Sequence, residues 1–147
     1  MKENFEKACM FTLTHEGYKS GDVFGGRTIF GIAERYFPDI VRKLWDLPRD
    51  QAEKGAMDFY RANVWENIGC DGLPWPLDAV AFDSAVNPGP SFVLTTLKVT
   101  KDFKSVLLKR IRYYLDRVKE NPEKKEFLEG WLNRVFDLED FCYKGGE

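Results

Sequence analysis

The chain has 147 residues and carries 22 Lys and Arg against 24 Asp and Glu, a formal net charge of −2, which argues against a general nucleic-acid binder. With 44% hydrophobic residues, 12 Phe, 6 Tyr and 4 Trp, it can bury a core of its own, so global disorder is excluded and a single domain is expected. Its one histidine and three cysteines (Cys9, Cys70 and Cys142) have no metal-ligand spacing, so no metal, no other cofactor, no disulfide framework and no Ser-His-Asp triad is expected.

In chain order, residues 4–16 read as a first helix. Its apolar face is Phe5, Ala8, Cys9, Phe11 and Leu13, with Asn4 as N-cap and Gly17 as the stop. Residues 17–31 hold five of the 12 glycines, interleaved with Val23, Phe24, Thr28, Ile29 and Phe30, and predict a small β-hairpin turning at Gly25-Gly26. From Ile32 onward the pattern is helical. Short helices are expected at Ile32 to Phe37 and Pro38 to Trp45, and a long amphipathic one at Pro48 to Trp65. Gly69 to Pro76 is a loop, and Leu77 to Val86 is apolar enough for a buried helix, broken by Asn87-Pro88-Gly89-Pro90. Helices at Phe92 to Val99, Asp102 to Lys119 and Glu123 to about Leu138 complete the chain. The fold class is therefore mainly α, with one Gly-rich hairpin near the N-terminus. That hairpin is too small to stand alone and has to pack on the helices, where its edge is a natural place for a cleft.

The charge is unevenly spread. Residues 1–87 have 10 basic and 14 acidic side chains, residues 88–147 have 12 and 10, and Lys98 to Lys119 alone holds 8 basic and 2 acidic residues. That stretch fits the solvated side of a helix or a face turned to an anionic polymer. No segment is apolar enough to span a membrane, and the N-terminus lacks a signal-peptide pattern, so synthesis in a cytoplasm is expected.

Glu16 is the leading chemical candidate. It stands at the end of the first helix, directly before the Gly-rich loop and close to Leu13, Phe11 and Phe30. A carboxyl group in a partly apolar cleft is suited to general-acid work. Asp22 and Thr28 follow at six-residue steps. A three-residue loop, Phe24-Gly25-Gly26, would pair them directly and let them hold a water molecule, whereas a two-residue loop would pair Val23 with Thr28. Asp83 and Asn87 lie four apart at a helix end, placed either to meet a ligand or to cap the break at Pro88. Tyr60 and Trp65 on the long helix read as core or as rings on which a ligand could stack, and Tyr18 is left free for a ligand. Trp131 reads as core, and Arg134 as a buried partner for Asp83.

Thr14-His15-Glu16-Gly17-Tyr18, then Gly25-Gly26-Arg27-Thr28-Ile29-Phe30-Gly31-Ile32, resembles glycoside hydrolase family 108, the family of peptidoglycan muramidases and phage endolysins. Leu73-Pro74, Phe82-Asp83-Ser84-Ala85-Val86-Asn87 with Gly89, Arg112-Tyr113-Tyr114 and Gly130-Trp131-Leu132-Asn133-Arg134-Val135 are similar to later blocks of the family, in the same order. One glycine follows Glu16 where the family pattern has two, and Lys101-Asp102-Phe103 stands where its peptidoglycan-binding-like half often has D-G-x-x-G-x-x-T. The resemblance implies a lysozyme-like helical fold and cleavage between N-acetylmuramic acid and N-acetylglucosamine. It also implies Glu16 as the acid, Asp22 and Thr28 as the water-holding pair, and holin-type release of a monomeric enzyme to the cell wall. A lytic transglycosylase and a catalytically silent wall-binding module remain the alternatives.

Overall fold

The structure, a computed structural model, describes residues 2–21 and 24–146. It is mainly α and lysozyme-like, with one small antiparallel sheet in the order β1-β2-β3. Helix α1 runs Lys2–Glu16, followed by strands β1 (Lys19–Gly21), β2 (Arg27–Ile29) and β3 (Ile32–Ala33). Helices α2 (Pro38–Trp45), α3 (Arg49–Tyr60) and α4 (Glu66–Ile68) come next, with a π-helical turn at Arg61–Trp65 joining the last two. The chain then forms α5 (Leu77–Val86), α6 (Pro90–Val99), α7 (Phe103–Glu120) and α8 (Lys125–Tyr143).

Helix α5 is the axis of the molecule. Every residue from Leu77 to Ala85 is buried, the polar Asp78, Asp83 and Ser84 included, and α1, α6 and α7 pack on it. The aromatic core lies beside it, with Phe5, Trp65 and Phe82 in mutual edge or tilted contact at ring-centroid distances of 5.3–5.9 Å. Trp131 takes the expected structural role, its ring stacked on Tyr114 at 4.8 Å. Cys9, Cys70 and Cys142 are buried free thiols, each pushed up to about 12 by burial, which makes them poor nucleophiles.

Several elements follow from local chemistry. Pro38 opens α2 with a φ already suited to a helix. Asp102 caps α7 by accepting from Ser105 N at 2.9 Å. Gly55 lets α3 approach α2, because a Cβ there would run into Leu44 Cδ2. Gly17, at φ +80°, ends α1 with its N–H on Leu13 O, as a left-handed C-terminal glycine does.

Three expectations are corrected. Asn4 lies inside α1 rather than at its cap, and its side chain donates to Asp78 Oδ2 at 2.8 Å. Ile32 to Phe37 is not a helix: Ile32–Ala33 pair with β2, and the chain turns before Pro38. The hairpin register differs as well. Ser20, not Asp22, stands opposite Thr28, and the described pairing ends at Gly21 opposite Arg27. A third strand then closes the hairpin through a two-residue turn, Phe30-Gly31, with both φ positive (47° and 80°), the backbone of a type I′ turn.

Candidate active site

That Phe30-Gly31 turn shapes the ground around Glu16. Phe30 sits in the left-handed region, costly for a residue with a bulky side chain. Its surroundings hold it there: Tyr60 OH donates to Phe30 O at 2.7 Å, Phe30 N donates to Tyr18 O at 2.7 Å, and its ring lies 5.2 Å from that of Tyr18. The next residue has to be glycine for two reasons. Its φ is +80°, and a Cβ would come within 2.8 Å of Glu16 Oε2 and of the Tyr60 hydroxyl. The turn thus leaves room for the carboxyl group at the end of α1.

Glu16 is 20% exposed, and its Oε1 accepts from Arg134 Nη1 at 2.8 Å. Arg134, on α8, is nearly buried and grips Asp83 with its other edge, Nη2 to Oδ1 at 2.8 Å and Nε to Oδ2 at 3.2 Å. Asp83, on α5, is fully buried. It also accepts from Thr12 Oγ1 (2.7 Å, α1) and from Arg110 Nη1 (2.8 Å, α7). Arg110 donates further to Ser84 Oγ at 3.1 Å and to Tyr114 OH at 2.9 Å, and the Tyr114 hydroxyl donates to Asn87 Oδ1 at 3.0 Å. Four helices therefore meet in one network of two carboxylates and two guanidiniums, in which each buried charge has an opposite partner.

Burial alone would push the Asp83 carboxyl up, but the Arg134 and Arg110 guanidiniums, with the bonds from Arg134 and Thr12, hold it well below the usual carboxylate range. Arg134 is likewise lowered by burial and raised more strongly by Asp83 and Glu16, so it stays charged. His15 lies against Phe11 at 4.5 Å, 3.6 Å from Asp137. Its pKa is lowered, first by burial and then by Arg134.

The other candidates fare differently. Thr28 is half-buried on the middle strand, between Ser20 and Ala33. Asp22 lies outside the described residues, and the register removes the direct Asp22–Thr28 pairing. Asp83 is corrected from a ligand-facing residue to an internal one, since both its oxygens are taken and none of it reaches solvent. Tyr60 is corrected too: it is 3% exposed, and its hydroxyl holds the Phe30 turn rather than a sugar. Asn87 ends α5, its N–H on Asp83 O and its side chain on Tyr114, which fits the capping alternative. Tyr18 is half-buried, with Lys19 Nζ 5.2 Å and Arg49 Cζ 4.9 Å from its ring centre. The Arg134–Asp83 pair is as expected. Arg110 is the functional neighbour that the sequence reading missed, although a charged residue four before Tyr114, on the inner face of α7 with Val106 and Leu107, was a usable signal.

Among the described residues, no group of three or more His, Cys, Asp or Glu side chains is gathered for a metal, and no helix is long and apolar enough to cross a membrane. No curated protein and no solved structure matches the chain. The family described as glycosyl hydrolase 108 matches residues 9–89, more than half of the sequence and the part that carries Glu16, the sheet and Asp83. The chain belongs to glycosyl hydrolase family 108 and is a glycoside hydrolase.

Proposed function

We propose that the protein is an N-acetylmuramidase that cuts the bond between N-acetylmuramic acid and N-acetylglucosamine in peptidoglycan, with Glu16 as general acid. The observation that carries this reading is the setting of Glu16. It is a partly exposed carboxyl group at a helix end, beside a turn whose glycine makes room for it, and fixed from behind by Arg134. Glycosidic cleavage needs such a group to protonate the leaving oxygen as the C–O bond breaks and an oxocarbenium-like centre forms. Water then attacks the anomeric carbon and loses a proton to a base. Thr28 and Asp22 are the candidates for holding that water. Family membership supports peptidoglycan as the polymer, and the enzyme would act on it as a monomer, reaching the wall from the host cytoplasm by holin-type release. The exposed basic residues of Lys98–Lys119 would then favour an anionic wall.

A lytic transglycosylase is the second reading. It needs one catalytic carboxylate and no water-holding pair, and the register that sets Ser20 rather than Asp22 opposite Thr28 favours it. Mass analysis of fragments released from purified peptidoglycan separates the two. The muramidase leaves reducing muramic acid ends that borohydride reduces, and a transglycosylase leaves 1,6-anhydro ends. Binding to the polymer with no fragment released would contradict both.

A further inference from the structure

The two oxygens of Glu16 are not equivalent. Oε1 receives a hydrogen bond from Arg134 Nη1 at 2.8 Å, while Oε2 lies on the side of Gly31, where an added Cβ would come within 2.8 Å of it. A guanidinium has only donors. While that bond stands, Oε1 cannot carry a proton pointed along it, and the proton of the neutral acid belongs on Oε2. The guanidinium is itself fixed: its Nε and Nη2 are clamped by Asp83, which Arg110 and Thr12 hold in turn. Arg134 and Arg110 both lie beyond residue 89, outside the segment that matches the family.

We infer that Arg134 is the positioning residue of Glu16, and that by occupying Oε1 it directs the acid proton to Oε2, on the edge bordering Gly31. The inference rests on the reading of Glu16 as general acid. It also gives the C-terminal helices a part in the reaction: α8 supplies the group that orients the acid, and α7 steadies it through Asp83.

The test is steady-state kinetics of Arg134→Lys on solubilised peptidoglycan strands, with Arg134→Gln and Glu16→Gln alongside and a thermal melt for each. Lysine keeps a positive charge beside Asp83 but lacks the planar fork that serves two carboxylates at once. Because small misplacements of a reacting group cost up to about 100-fold, kcat of Arg134→Lys should fall roughly 10- to 100-fold, with KM within about twofold and a melt close to the parent's. A folded Arg134→Lys with parental kcat would overturn the inference while an inert Glu16→Gln upheld the acid. An active Glu16→Gln would overturn the acid itself. If neither Arg134 variant folds, the parent protein decides through its guanidinium 15N resonances. Those of Arg134 should move with pH along the activity profile and lose that response in Glu16→Gln, and a pH-independent Arg134 signal would contradict the positioning role.

Discussion

At the scale of single residues, the site is a chain of charges running inward from Glu16 through Arg134 to Asp83 and Arg110. The end nearest solvent was legible in the sequence, because a glutamate before a stop glycine and a Gly-rich turn is an unusual place for a negative charge. The Asp83–Arg134 pair was legible from Arg134, a charge that stands off the apolar stripe of its helix. The role of Asp83 was not, because spacing along one helix cannot tell an inward face from a ligand-facing one when the helix is buried all round. The network makes a pH prediction. Asp83 titrates below the ordinary carboxylate value of about 4 in the native state. Its contribution to stability is therefore complete above that value and is lost as pH falls through the lower, native one. His15, with its lowered pKa, adds a loss in the same direction beginning near pH 6.5. The melting temperature should accordingly fall below about pH 4, and this acid-side fall should be much shallower in Asp83→Asn. An identical acid limb in the variant would show that Asp83 is not the group involved.

At the scale of elements, proline and glycine decide what can be read in advance. Helices α2 and α5 have the expected bounds, each bracketed by prolines or by a clear change in hydropathy. The hairpin register was not legible, because β1 is Lys-Ser-Gly, exposed throughout, and carries no apolar alternation to pin its pairing. Ile32-Ala33 reads as the start of a helix by composition and becomes a strand because the Phe30-Gly31 turn folds it back on β2. That turn depends on Tyr60. Tyr60→Phe removes the donor to the buried Phe30 carbonyl and should cost about 1–3 kcal/mol, read by urea denaturation, with KM for peptidoglycan unchanged. A raised KM with unchanged stability would return Tyr60 to the list of sugar-binding residues.

At the scale of the whole molecule, the family match ends at residue 89, but the site does not. The basic balance of the second half, visible in the sequence only as a charge asymmetry, has two separate uses. Arg110 and Arg134 are buried counter-charges for the first half, and other basic residues such as Lys101, Lys104 and Arg112 face solvent. A fragment ending at residue 89 would lose both guanidiniums that pair with Asp83 together with α6 and α7, which cover α5, so the apolar surface buried on that helix would be exposed. The fragment should therefore be unfolded by circular dichroism and inactive, and a folded, lytic fragment would refute the dependence. The proposed reaction turns on one group, the Glu16 carboxyl. Its most direct test is the rate at which Glu16→Gln releases reducing ends from purified peptidoglycan, with folding checked by thermal melt. The variant should stay folded with a rate lower by about 100-fold or more, and a folded Gln variant that keeps most of the parental rate would rule Glu16 out as the acid.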